Sequence, residues 1–276
     1  MENRWEIAVL GDDRRQTLLA ELLAADGHTV HRIQDDGALP RLERTELVIF
    51  PLPACREDGA VSEGGPAASG VLARMAPGSI AFGGRVSKTL TAQARARGIP
   101  FCDYTLREDF AIANALATAE GALGIALTQT EGTLQGADCL VIGNGRIGKL
   151  LARKLALLGG RVTVSARRAE DLAWIVSDGH TAMRTDRVPA AADRFDLICN
   201  TVPAPVLDAD ALGRARPSAL IVDLASAPGG VDLDAAQALG LHAVRALALP
   251  ARTAPRAAAG YVRDSIYRGM EEHTHA

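Results

Sequence analysis

Lysine is the scarcest charged residue in this chain of 276 residues. Of its 30 basic residues only Lys88, Lys149 and Lys154 are lysines, and no run of basic residues occurs. Because the formal net charge is −3, the sequence lacks the positive footprint of a nucleic-acid-binding protein.

Cysteine is nearly as sparse, with four residues far apart and no C-x-x-C pair: Cys55, Cys102, Cys139 and Cys199. That spacing offers neither a disulfide framework nor a metal site. His273 and His275 near the C-terminus have no further ligands beside them, so we expect no metal there either. The sequence enters a strand directly and shows no apolar run of about 20 residues, which predicts a cytoplasmic protein without a signal peptide or membrane span.

The composition that remains is that of a globular protein, with 48% apolar and 23% charged residues. Strand-like and helix-like segments alternate in both halves, which predicts an α/β fold of two Rossmann-like, doubly wound domains. We expect an N-terminal domain at 1–117, completed by the C-terminal helix at 256–276, and a second domain at 118–250. We also expect a linking helix that joins the domains and a cleft between them.

The most informative stretch is a glycine pattern at Gly143, Gly145 and Gly148. An apolar strand at 139–142 leads into it, an amphipathic helix follows, and a second strand comes at 161–165. In this context the first glycine permits a tight turn, the second lets the backbone approach a pyrophosphate, and the third lets helix and strand pack closely. The stretch predicts a dinucleotide site, with Arg146 and Ile147 inside the turn.

The end of the second strand discriminates between the two nicotinamide dinucleotides. An NAD enzyme usually places a carboxylate there, whereas an arginine suits the 2′-phosphate of NADP. Here Ser165, Arg167 and Arg168 stand at that point, and the first acidic residue, Glu170, comes after them. We therefore expect NADP, with NAD as the alternative, and no carboxylate placed to repel the phosphate.

The first half repeats the strand–helix alternation without repeating the glycine pattern. Asp12 and Asp13 follow Gly11, and their carboxylates would repel a pyrophosphate. We expect one of the two to cap the following helix, and no second dinucleotide site.

Between the two halves, residues 107–130 carry apolar residues at helical spacing. Thr118 is predicted to cap a helix at 119–130, with Glu120 in its first turn. Near the C-terminus we expect a loop at 249–255 and a final helix at 256–270.

Several of these segments together resemble one family, the dipicolinate synthase A subunits. The resemblance covers nearly the whole chain. It rests on the segments at 11–16, 114–122, 143–148, 199–203, 222–230 and 254–256. The loop at 250–260 departs from the family pattern, because Ala251 and Ala257 stand where Gly and Thr are usual, and Arg256 stands where Lys is.

The resemblance implies NADP-dependent oxidation of a dihydrodipicolinate ring, a lysine-pathway intermediate, to dipicolinate during sporulation. It also implies a small dicarboxylate substrate and a partner, the flavoprotein-like B subunit, and it leaves open whether the chain forms a homo-oligomer. From the carboxyl ends of the strands we expect these carboxylate ligands: Arg14, Arg85, Ser87, Lys88 and Arg256, with Arg252 as a further candidate. Besides the glycine turn and the arginines after it, the expected cofactor contacts are Asn200, Thr201, Val202, Asp223 and Ser226.

No histidine stands in a motif, so the proton acceptor is expected to be Glu120, with Thr118 beside it, if burial suits Glu120 to the role. A helix-terminal charge is the alternative role for Glu120. Two further functions remain open. One is a 2-hydroxyacid dehydrogenase-like oxidoreductase, which the missing histidine disfavours. The other is a nucleotide-binding regulatory subunit without turnover.

Overall fold

The computed structural model describes residues 4–274, and side chains up to residue 272. The chain divides into two compact units, of which unit 1 contains Met1–Asn114 and Ala254–Ala276 and unit 2 contains Ala115–Thr253. The limits expected from the sequence lay at 117/118, 250 and 256.

Unit 1 is built on a five-stranded parallel sheet with the order β2-β1-β3-β4-β5. The strands are β1 (Glu6–Leu10), β2 (Thr29–Ile33), β3 (Leu47–Ile49), β4 (Ile80–Gly83) and β5 (Phe101–Asp103). This strand order is that of flavodoxin-like doubly wound sheets, in which ligands bind beyond the carboxyl ends of the strands.

Three helices connect these strands: α1 (Arg14–Ala25), α2 (Ala68–Arg74) and α3 (Lys88–Ala96). A 3₁₀ helix, Asp36–Arg44, connects β2 to β3, and a second, Tyr104–Leu106, follows β5. Of the two acidic residues offered by the sequence as caps, Asp13 is the one that caps α1, since its Oδ1 accepts the backbone N–H of Gln16 at 2.8 Å. Ser87 caps α3 in the same way, accepting the backbone N–H of Leu90 at 3.1 Å. Each cap stabilises its helix by about 1 kcal/mol.

The linking segment is one uninterrupted helix, α4 (Glu108–Gln129), of 22 residues. The predicted helix start at Thr118 is wrong, because Thr118 lies in the middle of α4 with 7% of its surface exposed. Alanines on both sides favour continued helix, and Ala119, Ala122 and Ala126 are buried in unit 2.

By length and composition α4 is also apolar enough to cross a membrane, with a mean hydropathy of 1.5 in its most apolar stretch. The expectation of no such run is corrected to this extent. Of that stretch, 44% is buried inside the protein, and the core helix of a globular protein meets the same criteria.

Unit 2 is built on a six-stranded parallel sheet with the order β11-β10-β9-β6-β7-β8. The strands are β6 (Asp138–Ile142), β7 (Arg161–Ala166), β8 (Thr181–Arg184), β9 (Leu197–Asn200), β10 (Leu220–Asp223) and β11 (His242–Arg245). Counted within the unit, this is the 3-2-1-4-5-6 order of dinucleotide-binding folds, with the topological switch between β6 and β9. The predicted pair of Rossmann-like domains is confirmed. Strand β8, which is short and lies at the edge of the sheet, was not predicted.

Helices α5 (Arg146–Leu157), α6 (Ala169–Ser177), α7 (Ala209–Leu212) and α8 (Leu233–Ala238) connect these strands, with 3₁₀ helices at Thr185–Arg187 and Pro189–Arg194. Two more helices end the chain, α9 (Leu249–Thr253) and α10 (Pro255–Thr274). The loop predicted at 249–255 is therefore wrong over most of its length. Helix α10 begins with proline, the residue that suits a first helical position.

Both faces of each sheet are buried. In β6, Cys139 and Val141 belong to one core cluster and Leu140 and Ile142 to another. Because parallel sheets are covered on both faces, only the ends of their strands remain open to ligands.

Candidate functional site

The glycine turn, Gly143–Gly148, joins β6 to α5 and has the geometry of a phosphate site. Gly143 has a φ of +101°, which glycine adopts without strain. A Cβ on Gly148 would overlap the carbonyl oxygen of Gly143, so only glycine lets α5 start this close to β6. Gly145 is the N-cap of α5 and contributes no capping side chain, and a Cβ there would meet no atom within 4 Å. The positive end of α5 therefore begins at an open space, as an anion site requires.

A cavity of about 440 Å³, here the turn cavity, lies beside the glycine turn. Six of the residues expected to bind a cofactor line it: Gly143, Gly145, Arg167, Arg168, Thr201 and Val202. Thr201 is fixed there by its hydroxyl, which donates to the carbonyl of Ile142 at 2.8 Å. The structure thus brings the ends of β6, β7 and β9 together around one space. Arg146, Ile147 and Gly148 lie in α5 next to it.

The end of β7 differs from the expectation in two respects. Ser165 is fully buried and its Oγ accepts a hydrogen bond from Thr185 at 3.5 Å, so Thr185 lines the turn cavity instead. The expected absence of a carboxylate is wrong, because Asp171 also lines the cavity. Nε of Arg168 donates to Asp171 at 2.7 Å, which lowers the pKa of that carboxyl.

Arg167 has no such partner. It lines the turn cavity, is exposed, and makes no hydrogen bond or ion pair within the described part of the chain. Since Arg168 neutralises Asp171, Arg167 is the cation available to an added phosphate at this end of the cavity.

Asn200 and Asp223, expected as cofactor contacts, are fully buried instead. The Asn200 amide donates to Asp223 Oδ1 at 2.7 Å and to the carbonyl of Val202 at 3.0 Å. Asp223 also accepts the backbone N–H groups of Ala225 and Gly230, both at 3.2 Å. The two side chains therefore hold the loops that follow β9 and β10, and those loops, with exposed Ser226, form the surface at this edge.

In unit 1, Arg14, Arg85 and Lys88 are exposed near the carboxyl ends of the strands, at the starts of α1 and α3. Arg85 has a positive φ of 52°, and Asp103 accepts its backbone N–H at 3.2 Å and that of Val86 at 2.9 Å. Arg256, on α10, lies 3.8 Å from a carboxylate oxygen of Glu21 on α1. Arg252 is exposed on α9 in unit 2.

Unit 1 also buries polar side chains at the same edge that were not predicted from the sequence. Arg15, rather than Arg14, is buried; it donates to Asp13 and to the carbonyl of Leu52, both at 3.2 Å. Gln16 and Tyr104 are each 1% exposed, and among the described residues their side-chain polar atoms have no partner. Burial raises the pKa of Tyr104. A helical pattern of Arg15 and Leu19 could have indicated the buried face of α1.

Glu120 lies near the middle of α4 and is 54% exposed at its side chain. Its carboxylate accepts a hydrogen bond from Nζ of Lys154 at 2.9 Å. The expectation that Glu120 supplies a helix-terminal charge is wrong, because α4 starts twelve residues earlier, at Glu108. Its role as proton acceptor stays a prediction, as does that of buried Thr118.

His275 lies outside the described residues. Within those described, no group of three or more His, Cys, Asp or Glu side chains could hold a metal ion.

Two doubly wound units, one carrying an open glycine turn at its switch point, define a protein with an NAD(P)-binding fold. Residues 133–233 match the family model described as "Putative NAD(P)-binding". The chain is 30% identical over 288 residues to the dipicolinate synthase A subunit of Bacillus subtilis, covering 97% of this chain and 96% of that one. The chain belongs to the family of dipicolinate synthase A subunits.

Solved structures agree with this assignment. The A chain of dipicolinate synthase from Bacillus subtilis superposes with a TM-score of 0.86 at 28% identity, covering 99% of this chain and 97% of that one. D-lactate dehydrogenase from Escherichia coli has a TM-score of 0.64 at 14% identity, covering 98% and 97% of the two chains. At that identity the likeness shows the fold alone. The predicted family is confirmed, and the fold is one shared with NAD(P)-binding dehydrogenases.

Proposed function

We propose that this chain is an NADP-dependent dehydrogenase that oxidises a dihydrodipicolinate ring to dipicolinate. The observation that carries the proposal is the uncapped start of α5, with unpaired Arg167 beside it, in a member of the dipicolinate synthase A family. A dinucleotide with an extra phosphate fits this arrangement of an open helix N-terminus and a nearby guanidinium.

The reaction balances as a two-electron oxidation. A ring carbon loses a hydride, which NADP⁺ accepts when bound, and the ring loses one proton to a base. The product is an aromatic pyridine dicarboxylate, so the gain in aromaticity favours the forward direction. The chain must therefore hold the ring in position, bind two carboxylates and accept one proton.

In this proposal the glycine turn and the first turn of α5 bind the pyrophosphate, and Arg167 binds the 2′-phosphate. The loops held by Asn200 and Asp223 border the nicotinamide end, since they follow the two strands beyond the switch point. Asn200 and Asp223 act through these loops, because their own polar atoms are already bonded.

The substrate is assigned to basic and hydroxyl groups at the carboxyl edge of the unit 1 sheet: Arg14, Arg85, Ser87 and Lys88, with Arg256 nearby on α10. Charge-assisted hydrogen bonds from these groups suit a dicarboxylate.

The direct test is an assay of the purified chain with NADP and freshly made dihydrodipicolinate, following dipicolinate absorbance. The proposal expects product with NADP, and a higher rate when the B subunit implied by the family is added. NADP binding without product under either condition would favour a regulatory subunit. Turnover of simple 2-hydroxy acids would favour the 2-hydroxyacid dehydrogenase alternative.

The proton acceptor needs its own test. Glu120→Gln should slow turnover and leave NADP affinity unchanged, whereas Glu131→Gln, a change at another exposed carboxylate of unit 2, should alter neither. If Glu120→Gln keeps the wild-type rate, the base lies elsewhere.

The biological setting is also part of the proposal. The family name indicates a role in making dipicolinate, which we place in the cytoplasm during sporulation, downstream of lysine-pathway chemistry. The four free cysteines are compatible with a reducing compartment.

A further inference from the structure

Arg245 is the last residue of β11, at the carboxyl end of the unit 2 sheet. It lies directly opposite Asp223 in the parallel register of β10 and β11. Its side chain is partly buried, so a ligand at this edge can reach the guanidinium.

Six arginines of the described structure are buried or partly buried, and Arg245 differs from the other five in its hydrogen bonding. The others are Arg15, Arg32, Arg107, Arg216 and Arg263, and each donates a hydrogen bond to an oxygen of the protein. Within residues 4–272 Arg245 has no hydrogen bond and no ion pair. Unlike the Nε atoms of Arg15, Arg32 and Arg107, which are buried with no hydrogen-bond partner among the described residues, the guanidinium nitrogens of Arg245 are not fully buried, so an anionic ligand can reach them.

The carboxylate of Asp223 lies near Arg245 but accepts no hydrogen bond from it. A Cβ on Gly229 would lie 3.0 Å from Nη2 of Arg245 and 2.6 Å from Oδ2 of Asp223, so both side chains border this glycine. The oxygens of Asp223 already accept the Asn200 amide and two backbone N–H groups. Asp223 therefore places a negative charge near Arg245, while the donors of the guanidinium stay available.

We infer that Arg245 binds a carboxylate of the substrate at the nicotinamide end of the site, an inference that rests on the proposed function. The dinucleotide phosphates are the other anions at this edge, but they belong at β6. Between β11 and β6 lie β10 and β9, so three strand spacings, about 14 Å, separate Arg245 from the glycine turn. A planar guanidinium binds a carboxylate in two-point fashion, which fixes the orientation of a ring as well as its charge.

The test uses full-length Arg245→Met and Arg245→Lys, with Arg184→Met as matched control. Arg184 ends the edge strand β8 on the opposite side of the same sheet and is ion-paired to Asp186 at 2.9 Å. Four quantities are measured. KM and kcat for dihydrodipicolinate, and Kd for dipicolinate by calorimetry, are determined with NADP present, and Kd for NADP is determined by titration.

Arg245→Met should raise KM and the dipicolinate Kd by about 10- to 100-fold and change the NADP Kd less than about twofold. Arg245→Lys should recover part of the loss, and Arg184→Met should match wild type. If Arg245→Met does not fold, Arg245→Lys is the test, and it should bind the dicarboxylate more weakly than wild type. The inference is overturned if dicarboxylate binding is unchanged, or if the loss falls on NADP instead.

Failure of the proposed function would look different. If the wild-type chain does not turn over dihydrodipicolinate, the proposed reaction is refuted. The binding measurements then test the role of Arg245 by themselves. In that case weaker dipicolinate binding by Arg245→Met still supports the inference. Equal binding by both chains, or no binding to wild type, overturns it.

Discussion

The two units begin with the same strand–turn–helix crossover and treat the start of the helix in opposite ways. In unit 1, Gly11 ends the strand with a φ of +96°, and Asp13 then caps α1 with its own carboxylate. In unit 2, Gly143 ends the strand with a φ of +101°, and Gly145 leaves α5 without a side-chain cap.

A carboxylate from the chain already occupies the place in unit 1 that a ligand phosphate takes in dinucleotide-binding folds. The cap stabilises α1 and at the same time excludes a second anion by charge. We therefore expect the two residues after the strand, on otherwise similar backbones, to decide which unit receives the nucleotide.

The largest effect on this difference between the units is expected when α5 can no longer approach β6 closely. Gly148→Ala places a Cβ on the carbonyl oxygen of Gly143, so we expect unit 2 to lose about 3 kcal/mol of unfolding free energy and NADP binding with it. Urea unfolding and NADP titration measure both. Gly124→Ala is the control, since a Cβ there meets no atom within 4 Å, and it should stabilise α4 by up to about 1 kcal/mol.

A second change gives unit 2 the cap chemistry of unit 1. Gly145→Asp should weaken NADP about 100-fold, because a carboxylate at the N-cap repels the pyrophosphate, while unfolding free energy stays the same or rises. Gly145→Ala, which adds bulk without charge, should fall between this variant and wild type. Undiminished NADP binding by Gly145→Asp would show that the phosphates bind elsewhere.

A third change tests which dinucleotide, NADP or NAD, binds at the open glycine turn of unit 2. Arg167→Ala should weaken NADP about 10-fold and leave NAD within about twofold, because only NADP carries the 2′-phosphate. Arg214→Ala, at an exposed arginine outside the turn cavity, is the control. Equal losses for NAD and NADP in fluorescence titrations would remove the argument for NADP.

The smallest effect is expected in unit 1. Asp13→Ala removes the cap of α1 and the ion pair with Arg15, at 3.2 Å, and should lower unfolding free energy by about 1–2 kcal/mol without changing NADP affinity. Asp12→Ala, at the exposed neighbour, should change neither quantity. A shift in NADP affinity on Asp13→Ala would mean that unit 1 takes part in binding the dinucleotide.

Most of the fold could be predicted because its signals are local. Buried parallel strands give short apolar runs, and Asp13 and the glycine turn mark helix starts through their immediate neighbours. The break proposed at Thr118 failed because a good N-cap residue also fits a helix interior when alanines surround it and the core buries it. Strand β8 was missed because it is an edge strand without an apolar run.

The site could be predicted less completely, since burial and pairing arise from distant segments. The residues around Asn200 in the sequence do not indicate that its amide donates a hydrogen bond to Asp223, 23 residues further on, instead of to a ligand. Likewise, Asp171 enters the turn cavity only because α6 starts beside β7. Arg245 stands out only in three dimensions, because only the neighbouring strands show that no oxygen of the described residues accepts a hydrogen bond from it. The roles of Arg14, Arg85 and Glu120 remain predictions.

The hydrogen bonds of Asn200 and Asp223 connect two loops that are more than twenty residues apart in the chain. Since one buried pair holds both, the segments after β9 and β10 cannot loosen independently, and the rim that they form is set when the domain folds. A ligand arriving there meets a surface whose ordering entropy has already been lost, so more of its contact energy is retained as affinity.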